Sequence, residues 1–445
     1  MNGSLLLRRL WADSFKKALT CYRPSCYGIQ VFGFHCGANV SKYSTSERKV
    51  SLTKVGEILQ QNIAAKGAIT VAEFMKECLQ HPFYGYYMKE TVLGRQGDFV
   101  TAPEISQTFG EMVGLWFVSL AEERYSSFTK PFRLVELGPG IGTLMNDMLR
   151  TMAQFPWFYR HITVHLVETS PALMKQQQLT LTRYKQKGVN LFWHRNIDEV
   201  PSDGSFFIIA QEFFDALPIH QFVWKENGWQ EKLIDIETRQ EEPFHFRYVL
   251  SGGSTTASRV FLDFLGYHRN ERGDIEDSVM RDGVELSPQS LSIVQSITTR
   301  LTQSSGAFLV IDYGANQHIN DSLRAIRSHE FVPVLREPGE ADLSADVNFL
   351  SLRKAYEQTP ALKKSQGNSF RPICLGPISQ RQFLLSMGIE YRVVQLVLSS
   401  KTDEEAADIH KGYKRLVSHG DGMGNVYKCF CIVSPDFGIP VGFSK

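Results

Sequence analysis

The sequence is that of an α/β protein: a Rossmann-like parallel sheet preceded by a helical region and interrupted by an antiparallel β piece. Three observations predict this. Residues 132–214 alternate short apolar strands with helical patterns, as βαβ units do. The first of those strands breaks into glycines within "FRLVELGPGIGTLMNDML" and resumes as a helix. Asn227-Gly228, between two alternating stretches, then announces a hairpin that a parallel sheet would not contain.

The elements follow in order. Residues 52–125 read as helices, broken at "HPFYGYY" and "GRQGDFVTAPE". The core strands are "RLVELG", "TVHLVE", "NLFWH" and "FFIIAQ". "FHFRYVLSGG" adds a strand to the inserted piece. "LSPQSLSIVQSITTRL" returns to helix, with Ser287 as N-cap, Pro288 at the first turn and Gly306 as terminator. "AFLVIDYG" is the next buried strand, and residues 315–350 read as loop-rich. "ISQRQFLLSMG" and "TDEEAADIHKGYKRLV" read as helices, the second with acids first and cations last. "EYRVVQLVLS" and "MGNVYKCFCIVS" are expected to close the sheet as antiparallel strands. The organisation expected is therefore a leader over 1–46, a helical or lid region over 47–130, the first half of the core over 131–220, the inserted β region over 221–285, and the rest of the core with a C-terminal extension over 286–445.

Charge separates the leader from the rest. Residues 1–46 carry Arg8, Arg9, Lys16, Lys17, Arg23 and Lys42 against Asp13, a net of +5; the whole chain is +1, which leaves −4 for the remainder. Leu5, Leu6, Trp11, Phe15, Ala18 and Leu19 share a broad helical face. A basic, acid-poor, amphipathic start has the composition of a mitochondrial transit peptide, with cleavage expected near Tyr43 to Ser46. The mildly acidic remainder argues against a nucleic-acid backbone as partner. No apolar run is long enough for a membrane span; "MVGLWFVSLA" suits a buried helix. Cys21, Cys26 and Cys36 fall in the leader; Cys78, Cys374, Cys429 and Cys431 fit buried free thiols, and their spacing suggests no metal site.

The glycine loop asks what it holds. Dinucleotide sites use G-x-G-x-x-G, with a pyrophosphate on the helix N-terminus. Here Gly138, Gly140 and Gly142 give G-x-G-x-G, and Glu136 stands two residues before the first glycine. A carboxylate there would repel a pyrophosphate and suits a cationic nucleoside cofactor without phosphate, S-adenosylmethionine. Glu168 closes the second strand 26 residues after Gly142, where an acid accepts from ribose hydroxyls. Asn196 and Asp198, after the third strand, are placed to meet the adenine amino group.

Beyond the cofactor, the fourth strand runs into "QEFFDALP". Glu212 and Asp215 lie at a strand end, where open α/β sheets bind ligands, and two carboxylates can grip a guanidinium and aim one nitrogen at a methyl group. A lysine or small amine could be held by the same acids, and an N-capped turn would look identical in sequence. "GRQGDFVTAPEISQTFGE" offers Asp98, Thr101, Glu104, Ser106 and Gln107 as a site lid, or equally a helix cap with Pro103 in the first turn. Asp98 joins Glu212 and Asp215 as a candidate catalytic acid. "DLSADVNF", with Asp342, Asp346 and Asn348, is a similar case.

The segments "HPFYGYY", "GDFVTAPEISQTFGE", "LVELGPGIGTL", "EFFDALPIHQF", "LVIDYG", "LSADVNF" and "GPISQRQFLLSMGI" occur in one order across most of residues 52–435. With them the chain resembles the MidA-like methyltransferases, the mitochondrial family of complex I assembly factor seven. The resemblance implies a class I S-adenosylmethionine-dependent methyltransferase fold and a place in the mitochondrial matrix. It also implies symmetric dimethylation of an arginine on a core subunit of respiratory complex I, with Gly138, Gly140 and Gly142 as the cofactor loop. Gln211 departs from the family, which more often has Asn or His there. A non-catalytic assembly scaffold that keeps the fold, a nicotinamide-dependent oxidoreductase and a small-molecule methyltransferase are the competing functions. The glycine spacing and Glu136 weigh against the oxidoreductase.

Overall fold

A computed structural model describes residues 50–89, 100–122, 131–226, 228–266, 283–364, 371–420 and 422–443. The leader, Asp98 and Asn227 lie outside the described residues. Seven strands make the central sheet: β1 (Phe132–Leu137), β2 (Ile162–Val167), β3 (Asn190–His194), β4 (Ser205–Gln211), β5 (Gly306–Ala315), β6 (Ile373–Ser379) and β7 (Tyr427–Val433). Their order is β3-β2-β1-β4-β5-β7-β6. Neighbours from β3 to β5 are parallel, and β7 alone runs antiparallel to both of its neighbours. An eighth short strand, Val347–Asn348, pairs with the end of β5.

The strands are nearly continuous apolar runs because both faces of the sheet are covered. Alternate residues feed two cores. Leu134, Phe207, Ile209, Leu309 and Cys431 face the helices Gln107–Glu122 and Thr143–Met152. Val135, Phe206, Ile208, Val310 and Phe430 face the helices Pro288–Leu301 and Phe349–Glu357. The stretch "MVGLWFVSLA" lies in the first of these helices, and among the described residues no helix is long and apolar enough to cross a membrane. Cys78, Cys429 and Cys431 are buried free thiols; Cys374 is half-buried.

Outside the core, the helices Lys54–Lys66 and Val71–Gln80 pack on a second sheet through a third apolar cluster. That sheet joins Ile69–Thr70, Gly228–Ile236, His220–Lys225 and Val284–Leu286, with Phe246–Leu250 on the other side of Gly228–Ile236. Lys225 pairs with Gly228, whose φ of 105° suits a glycine.

Two expectations need correction. "EYRVVQLVLS" is the helix Ile389–Ser399, not a closing strand. Its β-branched residues suggested a strand, but Ile389 and Val393 are the buried positions, one helical turn apart, and packing overrides the propensity. The strand that lies beyond β7 is β6, whose Pro377 sits at a break in register between Leu375 and Ile378, where an edge strand tolerates proline. Within the loop-rich residues 315–350, Glu330–Val332, Arg324–Arg327 and Asp342–Ser344 form a small antiparallel sheet. Gly306 does not end the helix Pro288–Leu301, which stops before Thr302. It opens β5, where a Cβ would strike the carbonyl of Phe206.

Candidate active site

The sheet carries its polar residues at the C-terminal ends of β1, β2, β4 and β5. After β1 the chain turns through Gly138, Gly140 and Gly142, with φ of 63°, 55° and 86°. Three left-handed residues in five positions are tolerable only for glycine. Gly138 N–H donates to Val167 O at 3.0 Å and Gly142 N–H to Pro139 O at 2.8 Å, so the loop is held against the end of β2.

Glu136 is 2% exposed on β1, between Leu166 and Ile209 in register, and its Oε2 is buried without a partner. Burial pushes its carboxyl up to about 8. It is therefore protonated near neutral pH unless a cation or a donor group reaches it, which corrects the expectation of a standing negative charge. Glu168 is 8% exposed. Its Oε1 accepts from Thr169 N–H and Ser170 N–H at 2.8 Å each, and its Oε2 from Gln177 Nε2 at 3.2 Å. Burial raises its carboxyl, and those three donors oppose the rise.

Gln177 was not singled out from sequence, yet it ties the half-site together. Its Nε2 also donates to Gly140 O at 2.8 Å, and its Oε1 accepts from Trp193 Nε1 at 2.9 Å. A polar residue fully buried on the helix Pro171–Gln186 was the only signal available. Asp198 is turned elsewhere: its Oδ1 accepts from Ser296 Oγ at 2.7 Å, and its side chain is 73% exposed. Asn196 caps the turn that carries it.

The second half-site is the turn after β4. Glu212 has φ 46°, a strained value for a residue with a side chain, and such strain gathers at functional sites. Its Oε1 accepts from Ala102 N–H at 3.0 Å and from Gln211 Nε2 at 2.8 Å; Tyr427 OH donates to Oε2 at 3.1 Å. Burial pushes this carboxyl up to about 7. Asp215, 8% exposed, accepts from Tyr313 OH at 2.6 Å through Oδ2, while Oδ1 is buried without a partner. Burial raises Asp215 as well; Tyr313 and the Arg324 guanidinium pull it back. Arg324 stacks 4.6 Å over the Tyr313 ring and pairs with Asp346 at 2.7 Å. Tyr87 OH donates to Asp342 Oδ1 at 2.8 Å, and Tyr87 O accepts from Ser170 Oγ at 2.7 Å, so the N-terminal region bridges the two half-sites.

The rich loop before residue 107 proves to hold a cap. Glu104 accepts from Thr101 N–H at 3.3 Å, and Pro103 lies in the first turn of Ala102–Ile105. That cap delivers Ala102 N–H to Glu212. The two half-sites touch through Phe213, whose Cδ2 lies 2.7 Å from where a Cβ on Gly138 would stand. Asp312, Tyr313 and Tyr427 were missed from sequence, since only the pairing of β5 with β4 and β7 brings them to this turn.

These residues fit S-adenosylmethionine. Three glycines let the loop backbone take left-handed turns, and Glu136 Oε2 and Asp215 Oδ1 are buried acceptors in want of a donor or cation. Residues 112–366 match the family described as "Putative S-adenosyl-L-methionine-dependent methyltransferase". Over 412 residues the chain is 36% identical to the zebrafish (Danio rerio) protein named "Protein arginine methyltransferase NDUFAF7, mitochondrial", covering 87% of this chain and 90% of that one. The human protein of that name is 36% identical over 394 residues, covering 84% and 82%. The Drosophila melanogaster homologue is 37% identical over 388 residues, covering 83% and 82%. A Burkholderia thailandensis protein solved with S-adenosyl-homocysteine bound shares the fold, with a TM-score of 0.67 at 20% identity over 88% of this chain and 92% of that one. The chain belongs to the S-adenosyl-L-methionine-dependent methyltransferases, in the family of the NDUFAF7 proteins.

Proposed function

We propose that this protein is a protein arginine methyltransferase of the mitochondrial matrix that symmetrically dimethylates an arginine on a core subunit of respiratory complex I during assembly. The observation that carries the reading is the carboxylate pair Glu212 and Asp215, on a turn whose Phe213 touches the cofactor loop. The relatives' names and the +5 leader support the compartment and the acceptor class.

The bound cofactor supplies a methyl group activated by a sulfonium. Gly138, Gly140, Gly142, Glu136 and Glu168 hold it, with Asp198 at the outer edge of that set. The chain's own acids then position the acceptor. Asp215 Oδ1 takes a guanidinium N–H, and Glu212 lies three residues away to take another, which leaves one nitrogen free to be aimed. Tyr313 and Tyr427, whose hydroxyls burial keeps protonated, donate to Asp215 Oδ2 and Glu212 Oε2 and fix both carboxylates, and Glu212 Oε2, with that single donor, keeps a lone pair for the acceptor. A free guanidinium does not lose its proton near neutral pH, so the proton leaves with or after transfer. Glu212, poised near 7, can accept it. Asp98 is the remaining candidate acid on the acceptor side.

Incubating the protein lacking residues 1–46 with isotope-labelled S-adenosylmethionine and mitochondrial extract depleted of it tests the proposal. Label should appear as symmetric dimethylarginine in a complex I core subunit. Label in lysine, in small amines or in no protein would refute it. Normal complex I assembly with a Gly140→Val chain that binds no cofactor would favour a scaffold instead.

A further inference from the structure

We infer that Asp312 is a positioning residue for methyl transfer: its carboxylate is the anchor on which the Glu212–Asp215 turn is built. This rests on the function proposed above and adds a residue to it. Asp312 sits near the C-terminal end of β5 with 0% exposure. Its Oδ2 accepts from three consecutive backbone groups, Phe213 N–H at 3.2 Å, Phe214 N–H at 3.0 Å and Asp215 N–H at 3.4 Å. Its Oδ1 accepts from Tyr313 N–H at 2.9 Å. Glu212 N–H donates to Ile311 O at 3.0 Å, so β5 holds every amide of the turn from 212 to 215.

Successive amides converging on one anion form a nest, normally filled by a ligand's oxygen. Here the protein fills it from the neighbouring strand. The anchor fixes a turn that Glu212 enters at φ 46°, a conformation that needs support from its surroundings. Asp312 shares this buried turn with Glu212 and Asp215. The charged and titratable groups around it are those two acids, Tyr313, Tyr427 and Arg324. Lys428 is opposite in register, but its Nζ donates to Asn425 O. Burial, then the charges of Asp215 and Glu212, raise the Asp312 carboxyl; the backbone donors oppose this.

The test is Asp312→Asn in the chain lacking residues 1–46. An amide fills the same space but brings no charge and one acceptor atom. Cofactor affinity should stay within about threefold, because the glycine loop does not touch Asp312. kcat should fall by about 30-fold or more while the KM values for cofactor and acceptor stay within about threefold, since the turn that aims the acceptor loses its anchor but the binding groups remain. An unchanged kcat would overturn the inference, as would a loss of kcat that merely follows lowered thermal stability or a matching loss of cofactor affinity. If the variant does not fold, amide exchange in the unaltered protein decides. Protection of the Phe213, Phe214 and Asp215 amides, corrected for intrinsic rates, should match that of the core strands; rates typical of an unprotected loop would overturn it. An unaltered protein that labels no arginine would refute the proposed function, while the exchange experiment would still report on Asp312.

Discussion

The half-sites proposed for cofactor and acceptor differ in origin: the first draws on a single stretch, residues 136–177, with one strand, its glycine turn, the next strand's acid and the helix that follows. The acceptor side gathers Tyr87, Ala102, Glu212, Asp215, Asp312, Tyr313, Arg324 and Tyr427 from the N-terminal region, three strands and the small sheet. A locally encoded site needs backbone freedom, so one substitution in the loop should disable it alone. A site assembled from distant segments needs charge balance, so its failures should show as pH dependence and lost turnover while the cofactor still binds.

The largest effects should separate the halves cleanly. Valine in place of Gly140 must adopt φ 55° and adds bulk where the ligand approaches, which should weaken cofactor binding on the order of 100-fold by calorimetry. Glu212→Gln and Asp215→Asn should each lower methyl transfer on the order of 100-fold with cofactor affinity within about threefold. Equal losses of binding in both sets would erase the contrast.

The pH dependence should divide the same way. Glu212 must be ionised to receive a guanidinium, and its carboxyl is pushed up to about 7. Transfer should fall about tenfold per unit below pH 7, level off above it, and lose that slope in Glu212→Gln. Glu136 acts on stability instead. Its folded value of about 8 lies above its ordinary carboxyl range, so the folded chain keeps a proton the unfolded chain releases. Stability attributable to Glu136 is therefore complete below the ordinary range and lost as pH rises towards 8. Glu136→Gln has no such loss, and its melting temperature relative to the unaltered protein should climb between pH 5 and pH 8.5, by about 3 °C or more.

Smaller effects belong to the supporting residues. Gln177→Leu leaves Gly140 O, a Glu168 oxygen and Trp193 Nε1 without their partner, and should weaken cofactor binding about tenfold. Asp198→Asn should change it least, by less than about threefold, because that carboxylate already serves Ser296. A large loss there would mean that Asp198 reorients onto the cofactor.

Legibility in the sequence follows the same division. The first four strands, the glycine turn and Glu168 could be read directly, since period, turn chemistry and strand-end acids are local signals. Glu212 and Asp215 could be named but not told apart from an ordinary capped turn. Helix Ile389–Ser399 was misread because its β-branched residues mimic a strand. Asp312 looked like one more residue of an apolar run, and nothing near it in the chain reveals three amides waiting 97 to 99 positions away.

The amino-acid order by itself determined the parallel core, the glycine turn and the presence of acids at strand ends, because each depends on neighbours within a few residues. Only the tertiary structure decided which acids are poised, since that depends on burial and on donors that β5, β7 and the small sheet bring from elsewhere. Glu136 and Glu212 are both glutamates at the edge of one sheet. Their surroundings make one a buried acceptor without a partner and the other an anchored acid near neutrality.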